Sequence, residues 1–165
     1  MTIDAPAAQT PVFALTTSRG FASWLAMVGG SIVFTTYQGA KVFFLGVKPD
    51  GTLSVFERSF PRCMGVAIAP DCRALYLATE VQLYRFDNIL PAGTVEDGVD
   101  ALFAPHQTWI TGDIDIHDIH EDAQGNPIFV ATRFNCLATL SDRGSFREVW
   151  RPPFIDQLAA EDRCH

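Results

Sequence analysis

The chain has 165 residues, 48% hydrophobic, 12% aromatic and 19% charged, with a formal net charge of −7. The composition excludes a disordered chain, and no apolar run approaches the ~20 residues of a membrane-spanning helix. An acidic balance without a basic run lacks the electrostatic footprint needed to hold nucleic acid or an anionic membrane surface.

Residues 1–16 read as a flexible leader: they carry Asp4 and two prolines in 1–12, and no charged region followed by an apolar one, so no secretory signal is expected. The four cysteines, Cys63, Cys72, Cys136 and Cys164, have no C-x-x-C spacing, which argues against a zinc ribbon or redox pair and for reduced thiols in the cytoplasm. From Trp24 onward, short β-branched and aromatic runs alternate with turn residues. Strands are expected at 31–36, Lys41–Val47, 53–56, 64–69, 74–79 and 81–86. The firmest turn is Pro49, Asp50, Gly51, because Pro presets φ and Gly accepts a positive one. A looser connection runs from 88 to about Pro105, and strands return at 113–117, 127–132, 135–140 and 146–150. Only residues 154–162, after Pro152 and Pro153, have the spacing of a short helix, with Ile155, Leu158 and Ala159 on one face.

The chain also repeats itself. Residues 64–79 lie over residues 117–132 without a gap, every pair offset by 53, and both copies end Ala-Thr. Residues 32–36 form a weaker third copy, offset by 43 from the end of the first. Repeats of ~40–50 residues built from four short strands have the spacing of β-propeller blades. The expected fold is therefore all-β: antiparallel four-stranded blades, about three of them, in a partial propeller over residues 17–165 that is truncated at its C-terminus. The abundance of Phe, 13 residues, then reads as strand faces made to pack against further blades or a second chain.

The densest polar cluster spans residues 113–120. On a strand, Asp113, Asp115 and His117 share one face and Ile114 and Ile116 the other, while Asp118 and His120 fall in the opposite phase, so a twist or bulge is expected near His117. Carboxylates and imidazoles on an innermost blade strand are groups that bind a divalent metal or perform acid/base work. Asp115, His117 and His165 are the metal-ligand candidates, and Asp118 and His120 the general acid/base candidates. Arg133, Asn135 and Arg163 are candidates for holding a ligand. The competing structural reading has Asp118 and Asp122 accepting turn amides. No P-loop, dinucleotide, nucleophile-elbow or EF-hand motif is present.

The strings Thr17-Ser-Arg-Gly-Phe21, Phe34-Thr-Thr-Tyr-Gln-Gly39, Gly112-Asp-Ile-Asp-Ile-His-Asp118, Trp150-Arg-Pro-Pro-Phe154 and Ala160-Glu-Asp-Arg-Cys-His165 together resemble a bacterial family of uncharacterised conserved proteins. The resemblance implies a propeller-like fold, sometimes in tetratricopeptide-repeat contexts, with this chain as the N-terminal half, and implies no established activity. Two functions are expected from different classes. One is a domain that binds a small molecule, glycan or peptide at the channel mouth; the other is a metal-dependent lyase, hydrolase or transferase using the His/Asp cluster.

Overall fold

The computed structural model describes residues 14–164. Most of the expected leader, and His165, lie outside the described residues. Among the described residues, eleven strands form three antiparallel sheets. The first contains β1 (Ile32–Thr36), β2 (Lys41–Val47) and β3 (Leu53–Ser59), in that order. The second contains β4 (Val66–Ile68), β5 (Ala74–Ala78), β6 (Gln82–Asn88) and β7 (Phe103–Ile110). The third contains β8 (Ile116–Glu121), β9 (Pro127–Ala131), β10 (Cys136–Thr139) and β11 (Arg147–Trp150).

The sheets pack face to face in chain order. Leu75 and Leu77 on β5 join Val42, Cys63 and the rings of Phe44, Phe60 and Phe86 between the first and second sheets. Their neighbours Tyr76 and Ala78 point to the opposite side. There they meet Ile116, Ile119, Phe129 and Ala131 of the third sheet, as strand alternation requires. All five residues of β5 are buried, because a sheet lies over each of its faces.

The first sheet departs from the expected four strands. β1 matches β5 and β9, the second strands of their sheets: it ends in Thr36 as β5 runs into Thr79. Among the described residues no strand stands at its other edge in the place that β4 and β8 fill. The preceding residues form a helix, α1 (Phe21–Val28), closed by Gly29 at φ 67°, whose N–H reaches the carbonyls of Leu25 and Ala26. Leu25 is buried. The apolar residues of α1 run almost all round the helix, so no 3.6-residue stripe betrays it in the sequence.

Two further expectations are corrected. Residues 154–162 are not helical; Ile155 is buried after a single turn that donates to the Pro152 carbonyl. An isolated segment so short gains too little from propagation to offset nucleation. β7 begins inside the expected connection, at Phe103, and runs to Ile110, ahead of the next expected strand at 113–117. Its centre is exposed and holds Pro105 at a bulge between Arg85 and Phe86, where a missing N–H does no harm.

The internal repeat is real but slips. The β4–β5 hairpin closes at Ala69 and Ala74 around four residues, 70–73, whereas the β8–β9 hairpin closes at Asp122 and Asn126 around three, 123–125. The offset of 53 holds for the first strands, where Val66 matches Ile119. It becomes 52 for the second, where Leu77 matches Phe129 and Ala78 matches Val130. Tyr76 and Phe129, matched in the gapless alignment, face opposite ways.

Candidate functional site

The sheets meet at one end of their neighbouring strands. The Thr35 hydroxyl donates to the Met64 carbonyl, and the Gly65 N–H to the Ile116 carbonyl at 3.1 Å. At this end opens a depression of about 470 Å³ lined by Thr35, Tyr37, Met64, Asp115, His117 and Asp162. Thr35 on β1 and His117 on β8 stand in the wall with Tyr37, Met64 and Asp115 from the segments that leave or enter strands, and the final segment supplies Asp162.

Beside the depression lies an ion-pair network around Arg62, which follows β3 and precedes β4 with φ 45° and reaches the lining residues Asp115 and Tyr37. Its guanidinium contacts Asp113 Oδ2 at 3.4 Å, Asp115 Oδ1 at 3.1 Å and Glu80 Oε1 at 3.5 Å, and its carbon lies 5.8 Å from the centre of the Tyr37 ring. Burial works against the charge of Arg62, but Asp113, Tyr37 and Asp115 outweigh it and hold its pKa above the ordinary value. Arg133 approaches the same Asp113 oxygen at 2.7 Å. Three buried atoms of this region have no hydrogen-bond partner: Arg62 Nε, Asp113 Oδ1 and Thr132 Oγ1.

The expected one-face arrangement of Asp113, Asp115 and His117 is corrected in its cause. β8 begins only at Ile116, and Asp115 sits before it at φ 58°. Arg62, rather than strand periodicity, gathers the two carboxylates. His117 lies beside Asp115, Nε2 to Oδ2 3.5 Å. The bulge expected near His117 is present, as a register shift between Ile116 and Ile119. It separates the remaining candidates: Asp118 accepts the adjacent Ile119 N–H at 2.9 Å, and His120 stands opposite Ile128 on another face. Neither lines the depression. Asp122 accepts the N–H groups of Asn126 and Gln124 in the hairpin, which holds its carboxyl below the ordinary value.

Asn135 is placed as a clamp. It is buried at φ 57°; its amide nitrogen donates to the Glu161 carbonyl, and its oxygen accepts the N–H groups of Arg163 at 2.7 Å and Cys164 at 2.9 Å. These bonds fix the strip that carries Asp162 into the depression. Asn135 and Arg163 also line a second hollow of about 120 Å³, where Arg163 lies 3.9 Å from Glu161. Among the described residues, no three His, Cys, Asp or Glu side chains are grouped so as to hold a metal ion. His165, the third metal-ligand candidate, is outside that set. Thr35 and Tyr37 lie in a string that carries the family resemblance but have no residue type that points to chemistry, and Arg62 stands between strands with no motif around it. Asp162 belongs to the acidic end segment 161–165 whose neighbours were singled out.

Stacked antiparallel sheets meeting at their inner strands define a propeller-like protein. The chain belongs to a family described as a domain of unknown function, DUF4915, whose model matches residues 19–165. No curated protein matches the chain. Among solved structures, it is similar to a protein described as a candidate 6-phosphogluconolactonase from Bacteroides uniformis, at 14% identity and a TM-score of 0.50 over 79% of this chain and 40% of that one. It is also similar to virginiamycin B lyase from Staphylococcus aureus, at 14% identity and a TM-score of 0.47 over 76% of this chain and 39% of that one. The chain thus spans about two fifths of the length of these structures. Likeness at this identity concerns the fold alone. Among the described residues no helix is long and apolar enough to cross a membrane.

Proposed function

We propose that this chain is part of a propeller-like binding protein whose ligand is a small, uncharged, hydroxyl-rich molecule of the glycan class, held at the end where the three sheets meet. The observation that carries the reading is the composition of the 470 Å³ depression: the Tyr37 phenol ring, the Thr35 hydroxyl, Met64, two carboxylates and an imidazole around an open mouth. An aromatic face packs against the C–H face of a sugar, and carboxylates and imidazole exchange hydrogen bonds with its hydroxyls. Charge favours the same class. Arg62 and Arg133 are engaged by Asp113, Asp115 and Glu80, and Asp162 adds a further negative group. A phosphate or carboxylate ligand would meet carboxylates in excess of cations.

The test is an amide-resolved NMR titration with neutral oligosaccharides, alongside sugar phosphates and uronic acids. Shifts at Thr35, Tyr37 and Asp115 with the neutral set, lost in Tyr37→Ala, are expected. Stronger shifts with the anionic set, or none at these residues with any saccharide, would sink the reading.

A further inference from the structure

The contact between the second and third sheets rests on a cross-strand row that the chain then repeats. In the second sheet, Ala78, Leu83 and Trp109 stand opposite one another on β5, β6 and β7. Side chains so paired share one face of a sheet. Ala78 and Leu83 are 1% and 0% exposed, and Trp109 packs on the core shared with the third sheet. In the third sheet, Val130, Leu137 and Trp150 stand opposite one another on β9, β10 and β11. Once the shorter hairpin is allowed for, Val130 takes the place of Ala78, Leu137 that of Leu83, and Trp150 that of Trp109.

The second row points away from the second sheet, because the alternate positions Phe129, Ala131, Cys136 and Ala138 fill the core on the near side. Val130 and Leu137 are only half-buried, and Trp150 is 53% exposed. The adjacent register row is His120, Ile128, Thr139 and Arg147, whose two ends, His120 and Arg147, border the apolar centre with polar groups. That is the anatomy of an interface.

We propose that the row Val130, Leu137, Trp150 is the docking face for a further antiparallel sheet of the same polypeptide, stacked on the third as the third is stacked on the second. The argument is continuity: two successive interfaces of one kind are built, and the elements of the second recur on the third sheet's outer face. A sheet from the same polypeptide, rather than a second copy, agrees with the chain covering only 40% of the propeller-like structure it matches. No charged side chain stands in the row, so the incoming face is apolar, and Trp150 is its anchor.

The experiment compares residues 1–165 with the complete open reading frame. It follows oxidation of each tryptophan by N-bromosuccinimide by peptide mass spectrometry, with molar mass from light scattering. Trp150 is expected to oxidise rapidly in the 165-residue chain and to become as protected as Trp109 in the complete protein as a monomer. Trp150→Asp should leave the 165-residue chain folded and lower the melting temperature of the complete protein. Rapid oxidation of Trp150 in the complete protein overturns the proposal, as does a reading frame that ends at His165. Protection that appears only with a doubled mass, and is lost on dilution, assigns the face to a second copy and equally overturns it.

Discussion

The main-chain N–H of Gly65 donates to the carbonyl of Ile116 at 3.1 Å, so that the backbone entering β4 lies directly against the backbone entering β8. A Cβ on residue 65 would stand 3.0 Å from Ile119 Cγ1 and 3.2 Å from both Ile116 Cγ2 and the Ile116 carbonyl oxygen. Only glycine permits this approach without displacing the neighbouring strand. Gly65→Ala is expected to cost about 1–3 kcal/mol, and Gly65→Val more, by overpacking a rigid contact. Urea unfolding monitored by circular dichroism checks this; an unchanged midpoint for Gly65→Val would contradict it.

Asn135 offers a second prediction. Removing its amide strands the N–H groups of Arg163 and Cys164 and the Glu161 carbonyl, and forces a residue without a polar side chain to hold φ 57°. Asn135→Ala should destabilise the chain by about 2–3 kcal/mol and speed hydrogen exchange at residues 163 and 164 above all others. Exchange rising evenly along the chain would mean that Asn135 is no clamp.

Arg62 joins three acidic side chains at partly exposed positions, so each pair is worth less than a buried one. Arg62→Gln should lower stability by about 1–2 kcal/mol, more than any single partner's removal, and 0.5 M salt should shrink the difference. A salt-independent loss would place the contribution of Arg62 in packing instead.

The buried thiols set an alkaline limit. Burial, with Glu148 adding to it, pushes Cys136 up to about 11 from 9.0, and burial pushes Cys63 in the same direction. Between these values the unfolded chain has lost the Cys136 proton and the folded chain has kept it. The unfolded state therefore binds fewer protons and stability falls as pH rises. The loss from Cys136 approaches about 2–3 kcal/mol by pH 11. Cys136→Ala should flatten the slope of unfolding free energy against pH from 9 upward. In the folded protein at neutral pH a thiol reagent should label exposed Cys72 before either buried cysteine.

Much of the fold was legible because strands announce themselves by alternation and turns by chemistry. Gly51 at φ 83° and the Asp50 carboxylate accepting the Thr52 N–H at 2.9 Å close the hairpin where Pro49, Asp50 and Gly51 are written. The site was only half legible. Asp115 and His117 stand out as polar residues in an apolar stretch, but what assembles them is Arg62, 53 residues before Asp115 and in contact with it only after two sheets have stacked. Asn135 is legible as a polar residue after the Ala-Thr strand, able to reach a site or serve a turn; that its amide holds the backbone of residues 161–164 depends on a contact 26–29 residues away. α1 and β7 were hidden for opposite reasons, one apolar nearly all round and the other polar through its centre.

The two hairpins of unequal length carry a warning for anyone who edits this protein by copying one repeat onto another. Tyr76 and Phe129 look interchangeable in an ungapped comparison, yet the Tyr76 hydroxyl reaches forward to Glu121 and Gly125 at 3.2 Å while Phe129 looks back toward the second sheet. A transplant guided by letters would deliver each ring to the wrong side. The transferable unit is a strand with its registered partners, counted from the hairpin outward.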